Sequence, residues 1–220
     1  METIKINLHK ISQSEIDLIV DYFKRGLAVA YPTDTVYGLG CDARNAEAIK
    51  KINKIKGEKG NKPLIALISD FGMLKKYCFV NTLQMEYLKS VWEKPHPTSP
   101  RPSPSKGEGV SLVRRGALRP VTVILKRRPI LPDELTGGRN SLAVRLPKND
   151  FLIKIISEAG LPIVSTSLNK KGEKPLSEVK NLEKYFKYLP DLAIDAGTLK
   201  GKPSRIVDLR DIKNIKIIRK

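Results

Sequence analysis

The chain has 220 residues, 40% of them apolar, which allows one large α/β domain or two small ones with a sizeable core. No apolar run is long enough to span a bilayer and "METIKINLHK" has no signal-peptide core. Cys41 and Cys78 lack the spacing of a zinc site or a disulfide framework, so the expected address is cytoplasmic. A net charge of +18 favours polyanionic partners such as nucleotides, nucleic acid or acidic membrane, while 6% aromatic residues argues against a platform for stacking single-stranded bases.

"TIKINL" alternates as a strand, and Ser12 and Glu15 take capping-box spacing ahead of a helix that carries Ile16, Ile19, Val20 and Phe23 and closes at Gly26. "LAVAY" is a short apolar strand. "NAEAIKKINKIKG" reads as a helix begun near Asn45, with Ile49, Ile52 and Ile55 on one face and Gly57 at its end. "PLIALI" is a buried strand, and "NTLQMEYLKSVW" is a helix with Leu88, Val91 and Trp92 on its apolar side. Residues 93–119 then include "PHPTSPRPSPSKGEG", a proline- and serine-rich composition that cannot bury a core and predicts disorder. Strands resume at "VTVIL" and "SLAVRL". "DFLIKIISEAG" is a helix ending at Gly160, "PIVST" a strand, "SEVKNLEKYF" a helix, and "LAIDAG", "SRIVDL" and "IKIIRK" are late strands. Strands and helices mix throughout, which makes the class α/β.

Three segments gather polar residues beside apolar elements, where open α/β sheets bind ligands. "YPTDTVYGLG" offers Thr33, Asp34 and Thr35 with Gly38 and Gly40 for close backbone approach; a plain turn is the competing reading. "KGEKGNKPL" places Lys56, Lys59 and Lys62 around Gly57 and Gly60, a cluster suited to a triphosphate although no Walker A loop is present. "VSTSLNKKGEKPLS" collects Ser165, Thr166, Ser167, Asn169 and Ser177 after an apolar strand that has no need of them. With His9 and His96 as the only histidines, no Ser/His/Asp triad is evident, and no GxSxG elbow occurs.

Taken in order from about Gly26, "YPTDTVYGLGCDA", "IKGEKGNKPLIALIS", "VTVIL", "LAVRLP", "VSTSLNKKGEKP" and "GKPSRIVDL" resemble the YrdC family of threonylcarbamoyl-AMP synthases. The resemblance implies an open twisted mixed sheet with flanking helices around a concave basic cavity. It also implies a single domain over 1–220, with 93–119 as an insertion. The implied reaction converts L-threonine, bicarbonate and ATP, normally with Mg2+, to threonylcarbamoyl-AMP and pyrophosphate. Partner proteins then transfer the threonylcarbamoyl group to tRNA. Matched position by position, the family implies Thr35, Arg145, Ser167 and Ser204 for threonine. For ATP it implies Lys62, Ser141, Asn169, Ser177 and Arg219 together with Lys56, which would also be the catalytic neutraliser of phosphate. No metal-ligating residue is implied.

The chain departs from the family pattern at several points. Glu58 stands where the family usually has arginine in Lys-x-Arg, which leaves Lys59 as a substitute cation. "PSR" stands for "PST", with Arg205 in place of threonine. A Pro-Gly-Pro turn is split between Trp92 and Pro120. These departures, and the charge of +18, keep two alternatives open: an inactive paralogue of the same fold, and a non-enzymatic module that binds tRNA or duplex RNA.

Overall fold

Each longer helix begins where a side chain satisfies free N–H groups. The computed structural model describes all residues except His9, Lys59, Asn61 and 94–119. Helix α1 (Gln13–Lys24) starts at Ser12, whose Oγ accepts from the Glu15 N–H while the Glu15 carboxylate accepts from the Ser12 N–H. Helix α2 (Ala46–Lys56) is capped by Asn45 and ends at Gly57, which takes a φ of 67° open to glycine. Asp70 caps α3 (Phe71–Tyr77) and Asn81 caps α4 (Thr82–Trp92). A single turn, α5 (Asp133–Thr136), precedes α6 (Asp150–Ala159), which is capped by Asn149 and closed by Gly160. The last helix, α7 (Leu182–Tyr185), is again one turn.

The strands are β1 (Glu2–Lys5), β2 (Val29–Tyr31), β3 (Gly38–Gly40), β4 (Ile65–Leu67), β5 (Val121–Lys126), β6 (Ser141–Arg145), β7 (Ile163–Ser167), β8 (Leu192–Asp195), β9 (Arg205–Asp208) and β10 (Lys216–Arg219). They form one sheet in the order β1-β8-β2-β3-β7-β4-β6-β5-β9-β10. Pairing is parallel for β1–β8, β2–β8, β4–β6 and β5–β9 and antiparallel elsewhere, so the sheet is mixed.

Alternate residues of a strand point to opposite faces. One face carries Ala28, Ala30, Ala66, Val123, Leu125, Leu142, Val144, Val164 and Ala193, and packs against Ile49 and Ile52 of α2 and Leu88 and Val91 of α4. The other face carries Val29, Leu67, Ile163, Leu192 and Ile194 and packs against Ile16, Ile19 and Phe23 of α1 and Ile155 and Ile156 of α6. Helices α1 and α6 cover this second face from β1 as far as Ile163 of β7 and Leu67 at the end of β4. Over the start of β4 and over β6, β5 and β9 the same face is open, and the register places Ser165, Ile65, Ala143 and Ile124 in one cross-strand row along it. Among the described residues no helix is long and apolar enough to cross a membrane.

Four elements differ from the sequence expectation. β3 reads as a turn because it is Gly-Leu-Gly, yet it pairs with β2 and β7. Its Gly40 is needed because a Cβ there would overlap the Val164 carbonyl. Helices α3 and α5 were absent from the expected set; both are short and lack a full apolar period. The helix expected over "SEVKNLEKYF" contracts to α7, because Asn181 adopts a left-handed φ of 57° that stops propagation upstream. The disorder expected of the insertion falls on 94–119, outside the described residues.

The flanks of that segment are held together. Trp92 Nε1 donates to the Val121 carbonyl at 2.8 Å, both residues are buried, and Phe71 packs on the indole at 6.1 Å between ring centroids. Replacing 94–119 with a glycine linker of about four residues is therefore expected to leave the melting temperature within about 3 °C, since closure entropy changes only slowly with loop length. Thermal denaturation of the shortened chain checks this, and a drop of ten degrees or more would show that the segment supports the fold.

Candidate active site

The open half of the second face is the floor of a cavity of about 550 Å³. On β6, Ser141, Ala143 and Arg145 recur with period two and line it, while Leu142 and Val144 between them enter the core. Ile124 of β5, Ile206 of β9 and Ile218 of β10 extend the floor. The rim comes from the segment after β2 (Thr33, Thr35, Val36, Tyr37), the α2–β4 connection (Lys56, Glu58, Lys62), the end of β7 and its loop (Ser165, Thr166, Ser167, Asn169, Lys171), and Pro203 and Ser204 before β9. The site therefore lies on the sheet face and is not a crevice beyond strand ends. Lys56, Lys62, Arg139, Arg145, Lys171 and Arg219 line it against one described carboxylate, Glu58. That imbalance suits a polyanion.

Arg145 ends β6 and is 4% exposed. Its Nη1 lies 3.4 Å from Thr35 Oγ1 and 3.3 Å from Asp34 Oδ1, and its Nε has no partner. The Asp34 carboxylate sits behind the guanidinium and accepts the Lys148 N–H through Oδ2 at 3.0 Å. Thr33 and Thr35 share a hydrogen bond of 2.8 Å between their hydroxyls. A buried guanidinium fixed from behind, with an unused donor and a hydroxyl beside it, is preorganised for a carboxylate.

A second arginine approaches from the C-terminal edge. Arg219 donates through Nε to the Ser204 carbonyl at 2.9 Å and through Nη2 to Ser204 Oγ at 3.2 Å, and Ser204 Oγ is 2.8 Å from Thr122 Oγ1. Burial lowers the Arg219 pKa, and the charge on Arg145 lowers it further. Two cations that disfavour each other across a cavity gain from an anion placed between them.

Lys56 lines the cavity and is also tied into the protein. Its Nζ donates to the Ser167 carbonyl at 2.6 Å, the Asn169 carbonyl at 2.9 Å and Asn169 Oδ1 at 2.9 Å, so all three of its donors are engaged. Asn169 Oδ1 also accepts from Ser167 Oγ at 2.6 Å, and its Nδ2 donates to the carbonyls of Lys170 and Glu173. In this state Lys56 fastens the end of α2 to the β7 loop and contributes charge to the cavity through space. Burial pushes its ammonium down to about 8, opposed by Glu58 and reinforced by Lys62. The folded pKa lies below the unfolded 10.5, so the unfolded chain binds the extra proton between about pH 8 and 10.5. Wild type is expected to gain stability relative to Lys56→Met as pH rises through that window, and to show no such gain below it. Urea denaturation of both proteins across this range tests the sign.

Of the residues assigned from sequence, Lys56, Thr35, Arg145, Ser167, Ser204, Lys62, Ser141, Asn169 and Arg219 line the one cavity. Ser177 is not among the lining residues; it is exposed, and its carbonyl accepts the Leu199 N–H at 2.9 Å. Lys59 lies outside the described residues. Arg139 and Lys171 line the cavity without having been singled out. The glycine pair Gly137 and Gly138 before Arg139, both with positive φ, was the available signal of a chain turning an arginine inward. Glu58 lines the cavity, with a side chain only 8% exposed. Cys41 and Cys78 are free and buried; burial raises both thiol pKa values, that of Cys78 to about 12. No group of three or more described His, Cys, Asp or Glu residues could hold a metal ion.

Comparison with known proteins agrees with this geometry. The sequence model of the Sua5/YciO/YrdC family, described as telomere recombination, matches residues 21–98 and 108–220. A threonylcarbamoyl-AMP synthase of Hydrogenovibrio crunogenus is 30% identical over 194 residues, covering 87% of this chain and 91% of that protein. The enzyme of the same name from Pyrococcus abyssi is 29% identical over 211 residues, covering 95% of this chain; the chain spans 55% of that relative's length. Among solved structures, a double variant of P. abyssi Sua5 superposes with a TM-score of 0.79 at 26% identity, covering 99% of this chain and 60% of that one. P. abyssi Sua5 complexed with L-threonine gives 0.74 at 26% identity, covering 94% of this chain and 54% of that one. Escherichia coli YciO shares the fold, with a TM-score of 0.74 at 24% identity, covering 100% of this chain and 94% of that one. The family match spans most of the chain, which therefore belongs to the Sua5/YciO/YrdC family.

Proposed function

We propose that the chain is a threonylcarbamoyl-AMP synthase. The observation that carries the reading is one cavity in which a buried, carboxylate-ready Arg145 faces a wall of further cations. Arg145 and Thr35 hold the threonine carboxylate; Lys62, Lys171, Arg139 and Arg219 neutralise the phosphates. The threonine amine adds to bicarbonate, and water leaves to give a carbamate. A carbamate oxygen then attacks the α-phosphorus of ATP, its bond to the β-phosphate oxygen breaks, and pyrophosphate departs. The protein's part is alignment and charge neutralisation, which needs no nucleophilic side chain. Magnesium enters, where it accompanies ATP, as part of that substrate. The mixed anhydride so formed is reactive, so a transferase must consume it, and we place tRNA-modifying partners downstream.

Incubation with labelled ATP and bicarbonate is expected to release pyrophosphate only when threonine is present. Release independent of threonine, or none at any concentration, would refute the synthase reading. Salt-sensitive tRNA binding without ATP binding would favour the RNA-binding alternative.

A further inference from the structure

Glu58 is the one carboxylate among the described residues lining a cationic cavity. Its Oε1 lies 3.6 Å from Lys62 Nζ, and its Oε2 lies 3.5 Å from Lys171 Nζ. The two lysines root in facing loops, joined at their base by the Lys171 N–H donating to the Lys56 carbonyl at 3.1 Å. Their side chains are 67% and 58% exposed, while that of Glu58 is 8% exposed. One oxygen thus meets one lysine on each side, as the oxygens of a bound phosphate group would.

We propose that Glu58 occupies the seat of a pyrophosphate group, either the β,γ-phosphates of ATP or free pyrophosphate, and that it speeds departure of that group by reclaiming Lys62 and Lys171. The idea rests on the nucleotide reading of this cavity and deepens it. Ion pairs with such exposed lysines are individually weak, so a ligand of higher charge opens them. When that ligand loosens, the tethered carboxylate competes for both lysines at high effective concentration. A residue of this kind lowers affinity for the entering triphosphate and shortens the residence of the leaving group.

The test is calorimetric titration of wild type and Glu58→Gln with inorganic pyrophosphate, ATP and AMP at fixed salt and magnesium, with stopped-flow dissociation of pyrophosphate. Glu58→Gln is expected to bind pyrophosphate and ATP about tenfold more tightly and to release pyrophosphate correspondingly more slowly. AMP, which lacks the group, is expected to change less than about threefold, because its phosphate is screened from the seat. Glu58→Asp keeps the charge and is expected to stay within about threefold of wild type for pyrophosphate, which separates charge from packing. Unchanged pyrophosphate affinity in Glu58→Gln, or no pyrophosphate binding by either protein, overturns the proposal. So does an equal gain for AMP. Weaker pyrophosphate binding would also overturn it, since the carboxylate would then attract the ligand through a bridging cation. Tighter pyrophosphate binding in Glu58→Gln, with no threonine-dependent turnover in wild type, supports the seat and refutes the synthase reading alone.

Discussion

Arg145→Ala is expected to lower kcat/KM for threonine by about a thousandfold, the scale seen when one partner of a buried, hydrogen-bonded charge pair is truncated. The loss has two separable parts. The guanidinium no longer meets the substrate carboxylate, and Asp34 is left as a buried charge without its neighbour. The second part is expected to destabilise the fold by about 3 kcal/mol. The double variant Asp34→Asn/Arg145→Ala should recover most of that stability while staying inactive. Arg145→Lys keeps the charge without the planar fork and is expected to lose about tenfold to a hundredfold, chiefly in threonine KM. Steady-state kinetics with threonine and ATP varied separately, alongside denaturant melts, distinguish these outcomes. An Arg145→Ala enzyme with normal threonine KM would remove the carboxylate assignment.

Gly201→Ala is expected to reduce threonine-dependent turnover by about a hundredfold, because displacement of about an ångström suffices for a loss of that size. A Cβ at Gly201 would overlap the backbone carbonyl of Thr35, so the segment 196–204 must move away from the β2 rim. That segment is otherwise fixed at its start: Tyr37 Oη donates to the Gly197 carbonyl at 2.8 Å and accepts the Ala196 N–H at 2.9 Å. At its far end Ser204 carries Thr122 and Arg219, so the shift propagates to a second cation of the cavity. Residues 200–203 are exposed, and the melting temperature is expected to change by only about 2 °C. A large kinetic effect with a small thermal one is the expected pattern. Equal threonine KM values in Gly201→Ala and wild type would show that the segment does not shape the site.

Local chemistry with a period or a cap was legible in the sequence. Ser12 with Glu15, Asn45 with Gly57, and Gly160 mark helix ends by satisfying or releasing backbone groups nearby, and the structure uses each of them. Arg145 was legible because a charge ending the apolar strand "SLAV" needs a reason, and the cavity supplies one. What depended on distant partners was not legible. Gly-Leu-Gly looks like a turn until the Val164 carbonyl is known to lie against Gly40. Lys56 looks like a free phosphate ligand until Ser167 and Asn169, more than a hundred residues away, take its three donors. Ser177 matches a motif by position, but it is exposed and is not among the residues that line the cavity. Whether Glu58 faces inward depended on Lys62 and Lys171 flanking it from two loops, a relation that spacing alone does not encode.

The strand order also bears on how the chain is made. Among the described residues β1 pairs with β8 alone, through Glu2 with Leu192 and Lys5 with Asp195, so β1 leaves the ribosome about 190 residues ahead of its partner. β3 likewise gains its second neighbour only when Ser167 and Thr166 arrive. At usual elongation rates the N-terminal strands remain with unsatisfied edges for roughly ten seconds or more. Helix α1 has local caps and can form early, but its apolar face has no α6 to meet until residues 150–159 emerge. Nascent chains of this protein should therefore depend on chaperone shielding over most of their synthesis, and C-terminal truncation anywhere before β8 should leave an aggregating product.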